Sequence, residues 1–209
     1  MERIEHRDKK WLFPFVEYSP KTKRENMPVI IQLHGAGERG EGKEDLVLVD
    51  KHGFSNVMDG EEYDCIFIMP QCPKGEFWAG RVESLIEFTE QIIREYKADK
   101  SRITLTGLSM GGFGTWFVAM ARPDLFAAIA PACGGGMAWN AGVLDMPVWA
   151  FHGDVDTTVT PIHTEEMVAA LKKAGRDVRF TLFKGVGHGI QGLTFTKELI
   201  YWLLSHKRG

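Results

Sequence analysis

Short apolar, β-branched runs alternate along this chain with segments that carry a helical stripe, and that alternation leaves few folds open. Met27-Pro28-Val29-Ile30-Ile31-Gln32-Leu33, Cys65-Ile66-Phe67-Ile68-Met69, Arg102-Ile103-Thr104-Leu105-Thr106, Pro147-Val148-Trp149-Ala150-Phe151 and Val178 to Phe183 each read as a buried strand. Ala127 to Ala130 adds a further short strand. Leu12 to Tyr18 is expected at an antiparallel edge, because Pro14 lacks the N–H that a central strand must donate. Between these runs, Val82, Leu85, Ile86, Thr89, Ile93 and Tyr96 fall on one helical face. Thr160-Pro161 reads as an N-cap and first-turn proline, with Met167, Leu171 and Ala174 as the stripe and Gly175 as the stop. Phe195, Leu199, Trp202 and Leu203 stripe a last helix. Strands alternating with helices predict an α/β fold: a mainly parallel central sheet covered by helices on both faces.

The 209 residues suit a single domain spanning 1–209, with no repeat or long linker to divide it. The net charge of −3 and the lack of a basic run argue against nucleic-acid binding. No apolar stretch is long enough to span a bilayer, and Met1 to Lys10 is too charged for a secretory segment. Cys65, Cys72 and Cys133 form no CxxC pair and are odd in number, which predicts reduced thiols and a cytoplasmic location. No histidine pair has metal-ligand spacing, so no metal is expected.

Glycine supplies 23 residues, and these cluster after the strand runs, where turns must be tight. Two such turns compete for the chemistry. Gly35-Ala36-Gly37-Glu38-Arg39-Gly40 satisfies a dinucleotide fingerprint, but Glu41-Gly42-Lys43 opens no helix toward a pyrophosphate. The next strand ends at Met69-Pro70-Gln71, without the acid that would hold a ribose. Gly107-Leu108-Ser109-Met110-Gly111 is a G-x-S-x-G with a strand leading in and a helix, Phe113 to Ala121, leading out. At such a junction the serine is held in a strained turn above the sheet, and flanking side chains two residues away would strike the neighbouring strand and helix.

A serine hydroxyl needs a base, and the base needs an orienting group. Phe151-His152-Gly153-Asp154-Val155-Asp156 follows one strand and Gly185-Val186-Gly187-His188-Gly189 the next. Ser109, then Asp154 or Asp156, then His188 is the chain order of the α/β-hydrolase fold. Of the four His-Gly pairs, only the one at His188 follows both serine and acid; His34 and His152 are expected to brace turns.

The segments Leu33 to Gly40, Gly107 to Trp116, His152 to Asp156 and Gly187 to Gly189 resemble the small carboxylesterases of the α/β-hydrolase superfamily. The likeness is to the phospholipase/carboxylesterase and "predicted peptidase" groups, which include feruloyl-esterase-like members, and it runs from about Pro28 to Leu204. It implies Ser109 as nucleophile, His188 as base and Asp156, the last residue of His-Gly-x-x-Asp, as the acid. It also implies an oxyanion hole formed by the N–H groups of Ala36 and Met110, and no cofactor.

The resulting expectation is a serine carboxylesterase acting on small-molecule esters with short or small aromatic acyl groups. A thioesterase, lactonase or peptidase would use the same residues, and a non-catalytic binding module would keep the fold alone. Phe77, Trp78, Met137 and Trp139 follow strand ends and are candidates to line the substrate pocket. Pro131 to Met146, with three consecutive glycines, is too short for a helical lid. The insert from Glu38 to Asp64 is expected to form one charged wall of the cleft.

Overall fold

The computed structural model describes residues 1–58 and 60–209. In chain order it places strands β1 (Glu2–His6), β2 (Phe15–Ser19), β3 (Val29–Leu33) and β4 (Ile66–Pro70), then helix α1 (Val82–Tyr96). Strand β5 (Ile103–Leu108), helix α2 (Met110–Ala121), β6 (Ala128–Ala132) and β7 (Val148–Gly153) follow. Helix α3 (Ile162–Lys173), β8 (Val178–Phe183), α4 (Gln191–Thr194) and α5 (Lys197–Leu204) complete the chain. The strands form one sheet in the order β1-β2-β4-β3-β5-β6-β7-β8, with β3 to β8 parallel and β1 and β2 antiparallel.

The period-two pleat of the strands sorts their side chains into two cores. Val29, Ile31 and Leu33 point to the side of Leu85, Phe88 and Ile92 of α1, Trp116 of α2 and Leu171 of α3. Ile30 and Phe67 point to the other side, where Leu46, Phe54, Leu199 and Leu203 cover them. With both faces covered, β3 to β7 are buried along their whole length and need no polar alternation.

The N-terminal end departs from the sequence expectation. β2 begins only after Pro14 and lies second in the sheet, because β1 pairs with it from Glu2↔Ser19 to His6↔Phe15 and takes the edge. The charges of Glu2, Arg3 and Glu5, which hide β1 from a hydrophobic pattern, suit an edge strand exposed to water. The Glu17 carboxylate of β2 is buried and satisfied by His6 (2.8 Å), Lys23 (2.8 Å), Ser19 (2.6 Å) and Tyr96 (2.6 Å). Burial opposes its charge, but these partners prevail and hold the carboxyl down at about 2.

Two helix ends also differ. Pro161 rather than Thr160 caps α3, and no side chain bonds to its open N–H groups. Gly175 does take the left-handed φ of +67° that stops this helix. Phe195 precedes α5 and packs in the core from the turn after α4. Among the described residues, no helix is long and apolar enough to cross a membrane. The stretch from Pro131 to Met146 carries one short 3-10 segment, Ala138–Val143, and no lid helix.

Candidate active site

The carboxyl ends of β3, β5, β7 and β8 meet at one edge of the parallel sheet, and the glycine-rich turns leaving them build the site. Ser109 joins β5 to α2 with φ +57° and ψ −115°, a strained conformation for a non-glycine residue. The turn is tight enough that a Cβ on Gly107 would strike the Gly111 carbonyl, and one on Gly111 the Leu33 carbonyl. A Cβ on Gly112 would strike the carbonyl of Ala132. Backbone, not flexible side chain, fills each position, so glycine is required there. The Ser109 N–H is tied to the Ala132 carbonyl at 2.8 Å, which leaves the hydroxyl projecting over the sheet edge. α2 starts at Met110, three residues earlier than the sequence expectation.

His188, on the turn after β8, places Nε2 at 2.8 Å from Ser109 Oγ and Nδ1 at 2.6 Å from Asp156 Oδ2. The other Asp156 oxygen accepts the N–H groups of Thr158 (2.9 Å) and Val159 (3.0 Å). Burial works against the Asp156 charge, yet His188 and these two N–H donors hold its carboxyl below the usual range. An ionised Asp156 accepts the Nδ1 proton, leaving Nε2 to accept from the serine hydroxyl.

Asp154 lies apart from this chain. Its Oδ1 accepts the Gly185 N–H at 2.6 Å and its Oδ2 lies 3.5 Å from Lys184 Nζ, so it braces the turn that carries His188. His152 is fully buried beneath Asp156, with Nε2 2.9 Å from the Val159 carbonyl and Nδ1 2.7 Å from Thr164 Oγ1. The first contact braces the Asp156 loop and the second ties the ring to α3.

His34 plays a comparable part after β3. Its Nδ1–H donates to the Gly35 carbonyl (2.6 Å), its Nε2 accepts the Cys72 N–H (2.9 Å), and its own carbonyl accepts Trp78 Nε1–H (3.0 Å). These bonds fix the turn that carries Ala36. Neither the Ala36 N–H nor the Met110 N–H has a partner among the described residues, and both flank the serine.

Burial pushes the His34 imidazole down to about 4, against the hydrogen bond to Gly35, which favours the charge. Below the unfolded value of about 6.5, the unfolded chain binds a proton that the native ring refuses. Stability from this group is therefore complete above about pH 6.5 and falls by about 3 kcal/mol as the pH drops to about 4. Thermal melts from pH 7 to 4 are expected to show this loss. In His34→Gln the melting temperature should be lower at pH 7 and vary less across the window; an unchanged slope would remove His34 as its source.

The four aromatic and methionine residues predicted to line the pocket do not border the cleft at Ser109. Trp78 is fully buried beneath the His34 turn, with its ring against Phe13. Phe77 is exposed under the Arg39 guanidinium, 5.0 Å from its ring centre. Met137 packs on the core beside α2 and α3, and Trp139 projects into solvent. Instead, a cleft of about 450 Å³ is bordered by Ala36, Leu108, Thr158, Gln191 and, from the charged insert, Glu38, Lys51 and His52.

Sequence reasoning missed the two buried amides that hold this insert. Gln32 Oε1 accepts the Phe54 N–H at 2.8 Å. Gln71 accepts the Gly42 N–H (2.9 Å) and donates to the Glu38 (3.0 Å) and Asp45 (2.8 Å) carbonyls. Each lies at or near a strand end in an otherwise apolar run, a polar interruption that signals a loop to be tied down.

Cys133, Asp156 and His188 bring potential metal-ligand atoms within 4.8 Å of one another. Asp156 Oδ2 and His188 Nδ1 already bond to each other. Burial, reinforced by the Asp156 carboxylate, pushes the Cys133 thiol up, away from the thiolate a metal would bind. The cluster suits proton transfer better than metal binding.

Residues 74–192 match the Dienelactone hydrolase family. A probable acetylxylan esterase A of Aspergillus clavatus is 24% identical over 191 residues, covering 71% of this chain and 62% of that protein. The bifunctional acetylxylan esterase/xylanase XynS20E of Neocallimastix patriciarum is 27% identical over 139 residues, covering 65% of this chain and 20% of that protein. This chain therefore spans less than two thirds of the length of these relatives. A thermostable esterase of known structure superposes with a TM-score of 0.82 at 29% identity, covering 99% of this chain and 63% of that one. An acetyl xylan esterase from Aspergillus awamori gives a TM-score of 0.71 at 17% identity over 97% of this chain and 99% of that one, a likeness of fold. The sheet order, the serine turn between β5 and α2 and the family match agree: this chain has the α/β-hydrolase fold and belongs to the dienelactone hydrolase family.

Proposed function

We propose that this chain is a serine esterase that cleaves small carboxylic esters through an acyl-enzyme. The observation that carries the reading is the continuous hydrogen-bonded path from Ser109 Oγ through His188 to Asp156, with links of 2.8 and 2.6 Å. Ser109 Oγ attacks the ester carbonyl carbon while His188 Nε2 takes its proton. Asp156 holds Nδ1–H in place and stabilises the imidazolium that forms. Negative charge gathers on the carbonyl oxygen, and the unpaired N–H groups of Ala36 and Met110 receive it. Collapse of the tetrahedral intermediate returns the proton from His188 to the leaving alcohol. Water, deprotonated in turn by His188, then attacks the acyl-enzyme and restores Ser109.

The cleft suits short acyl groups. Ala36 and Leu108 offer limited apolar wall, and Glu38, Lys51 and His52 bring polar groups to its border. Each buried CH₂ contributes about 0.8 kcal/mol, and the gain ends once the chain reaches water. Relatives named acetylxylan esterases fit the same preference for a small acyl group. Across p-nitrophenyl esters, kcat/KM is expected to peak between acetyl and hexanoyl and not to jump above the micellar concentration. Methyl ferulate tests the small aromatic acyl group. A rate still rising at palmitoyl, or activation at an interface, would overturn this substrate range.

A further inference from the structure

The His152 side chain, near the end of β7, has no exposed surface, and each of its ring nitrogens faces a group that can only accept a proton. Nε2 lies 2.9 Å from the Val159 carbonyl, which has no proton to give. Nδ1 lies 2.7 Å from Thr164 Oγ1, and the single proton of that hydroxyl goes to the Gly134 carbonyl at 2.6 Å. Thr164 therefore has only lone pairs left for the ring. A neutral imidazole carries one N–H, so either tautomer would press a bare nitrogen against an oxygen lone pair in a position without solvent exposure. Two ring protons satisfy both contacts. The positive charge that results is met by Asp156 Oδ2 at 3.3 Å, and neither side chain of that pair is exposed.

We propose that His152 is a buried imidazolium and a positioning residue, which fixes Asp156 and offsets part of its charge so that His188 stays free to act as a base at lower pH. The catalytic consequence rests on the serine-esterase reading; the protonation state of the ring does not. Asp156 Oδ2 then serves two histidines, His188 Nδ1 at 2.6 Å and His152 Nε2 at 3.3 Å, while Oδ1 accepts the N–H groups of Thr158 and Val159. Among the described residues, the titratable groups around the ring are Asp156 on its own loop and, beyond that carboxylate, His188 after β8 and Cys133 after β6. α3 contributes the uncharged Thr164. A cation on the far side of Asp156 weakens the hold of that carboxylate on a proton at His188, and it repels a second imidazolium there. His188 must be unprotonated to accept from Ser109, so the His152 charge extends activity toward acid.

The protonation state is read directly by NMR of the full chain with isotope-labelled histidine rings at about pH 8, where an ordinary imidazole, titrating near about 6.5, is neutral. A ring with protons on both nitrogens is expected, and its signal should vanish in His152→Gln. If that variant does not fold, Thr164→Val serves: it is similar in shape but removes the acceptor at Nδ1, and the same ring should lose that proton. A wild-type spectrum without a doubly protonated ring, or doubly protonated rings that neither variant alters, would overturn the assignment. The catalytic part is read from kcat/KM on p-nitrophenyl acetate against pH. The midpoint of the acid limb should rise by on the order of one pH unit in His152→Gln and in Thr164→Val. A purely structural role would lower the plateau and leave the midpoint in place, and that result would overturn the catalytic part. Wild-type protein inactive toward every ester, or a Ser109→Ala variant that still turns them over, would overturn the esterase reading instead, and the NMR result would stand by itself.

Discussion

Ser109→Ala is expected to lower ester hydrolysis by a factor on the order of 10⁴ or more, with little change in melting temperature. The hydroxyl sits half-exposed at the sheet edge, so its removal leaves no buried cavity. The backbone bonds of Ser109 to Ala132 and Phe113 do not involve the side chain and hold the turn in the variant. His188→Ala should cost a similar factor, because the nucleophile and its base act as one unit and neither is effective alone. The double variant should then be scarcely worse than either single one. Steady-state rates on p-nitrophenyl acetate, with circular dichroism to confirm folding, check this. Wild-type turnover in folded Ser109→Ala would remove the serine from the mechanism. Labelling by a serine-directed phosphonate, present in the wild-type protein and absent in the variant, gives an independent readout.

The second large effect separates two aspartates only two residues apart. Asp156→Asn should lower kcat by on the order of 10⁴. An amide can donate to His188 Nδ1 and so favour the tautomer whose Nε2 carries a proton, which cannot accept from Ser109. The N–H groups of Thr158 and Val159 would still find an acceptor in the amide oxygen, so the loop keeps its shape. Asp154→Asn should leave kcat within a few fold and act on stability, since its bond to the Gly185 N–H supports a turn rather than a reacting atom. The reverse pattern, with Asp156→Asn active and folded Asp154→Asn inactive, would transfer the role to Asp154. Rates for both variants at several pH values, set beside their melting temperatures, decide the matter.

Much of this was legible in the chain because local rules govern it. Buried parallel strands must be apolar on both faces, and so β3 to β7 stand out as apolar or β-branched runs. β8, expected to be buried, lies at the sheet edge with its residues only partly covered, because among the described residues no further strand closes its outer side. The helix Val82–Tyr96 has the bounds its stripe predicts, although Phe88 and Ile92, outside that stripe, are its most deeply buried residues. The turn around Ser109 admits only glycine where backbone crosses backbone, so Gly107 and Gly111 identify it before any coordinates do. Chain order likewise selects His188 from several histidines.

Other features depend on partners distant in sequence, and only the tertiary structure decided them. β1 exists because β2 offers it an open edge, and nothing in its charged sequence signals a strand. Residues alone left Asp154 and Asp156 open; the resemblance favoured Asp156, and the fold aims that carboxylate at His188 while Asp154 turns to Gly185. Trp78 and Trp139 have the same side chain and similar positions after strand ends, yet one is sealed under the His34 turn and the other stands in solvent. Composition cannot distinguish them, because burial is set by which segments pack overhead. Glu38, one charge among many in the insert, comes to border the cleft where Gln71 ties its backbone to the sheet. Pattern and spacing determined the parallel strands, the long helices and the chain order of Ser109, the aspartates and His188; three-dimensional packing determined which side chains face the cleft, since that depends on contacts that no local stretch of sequence contains.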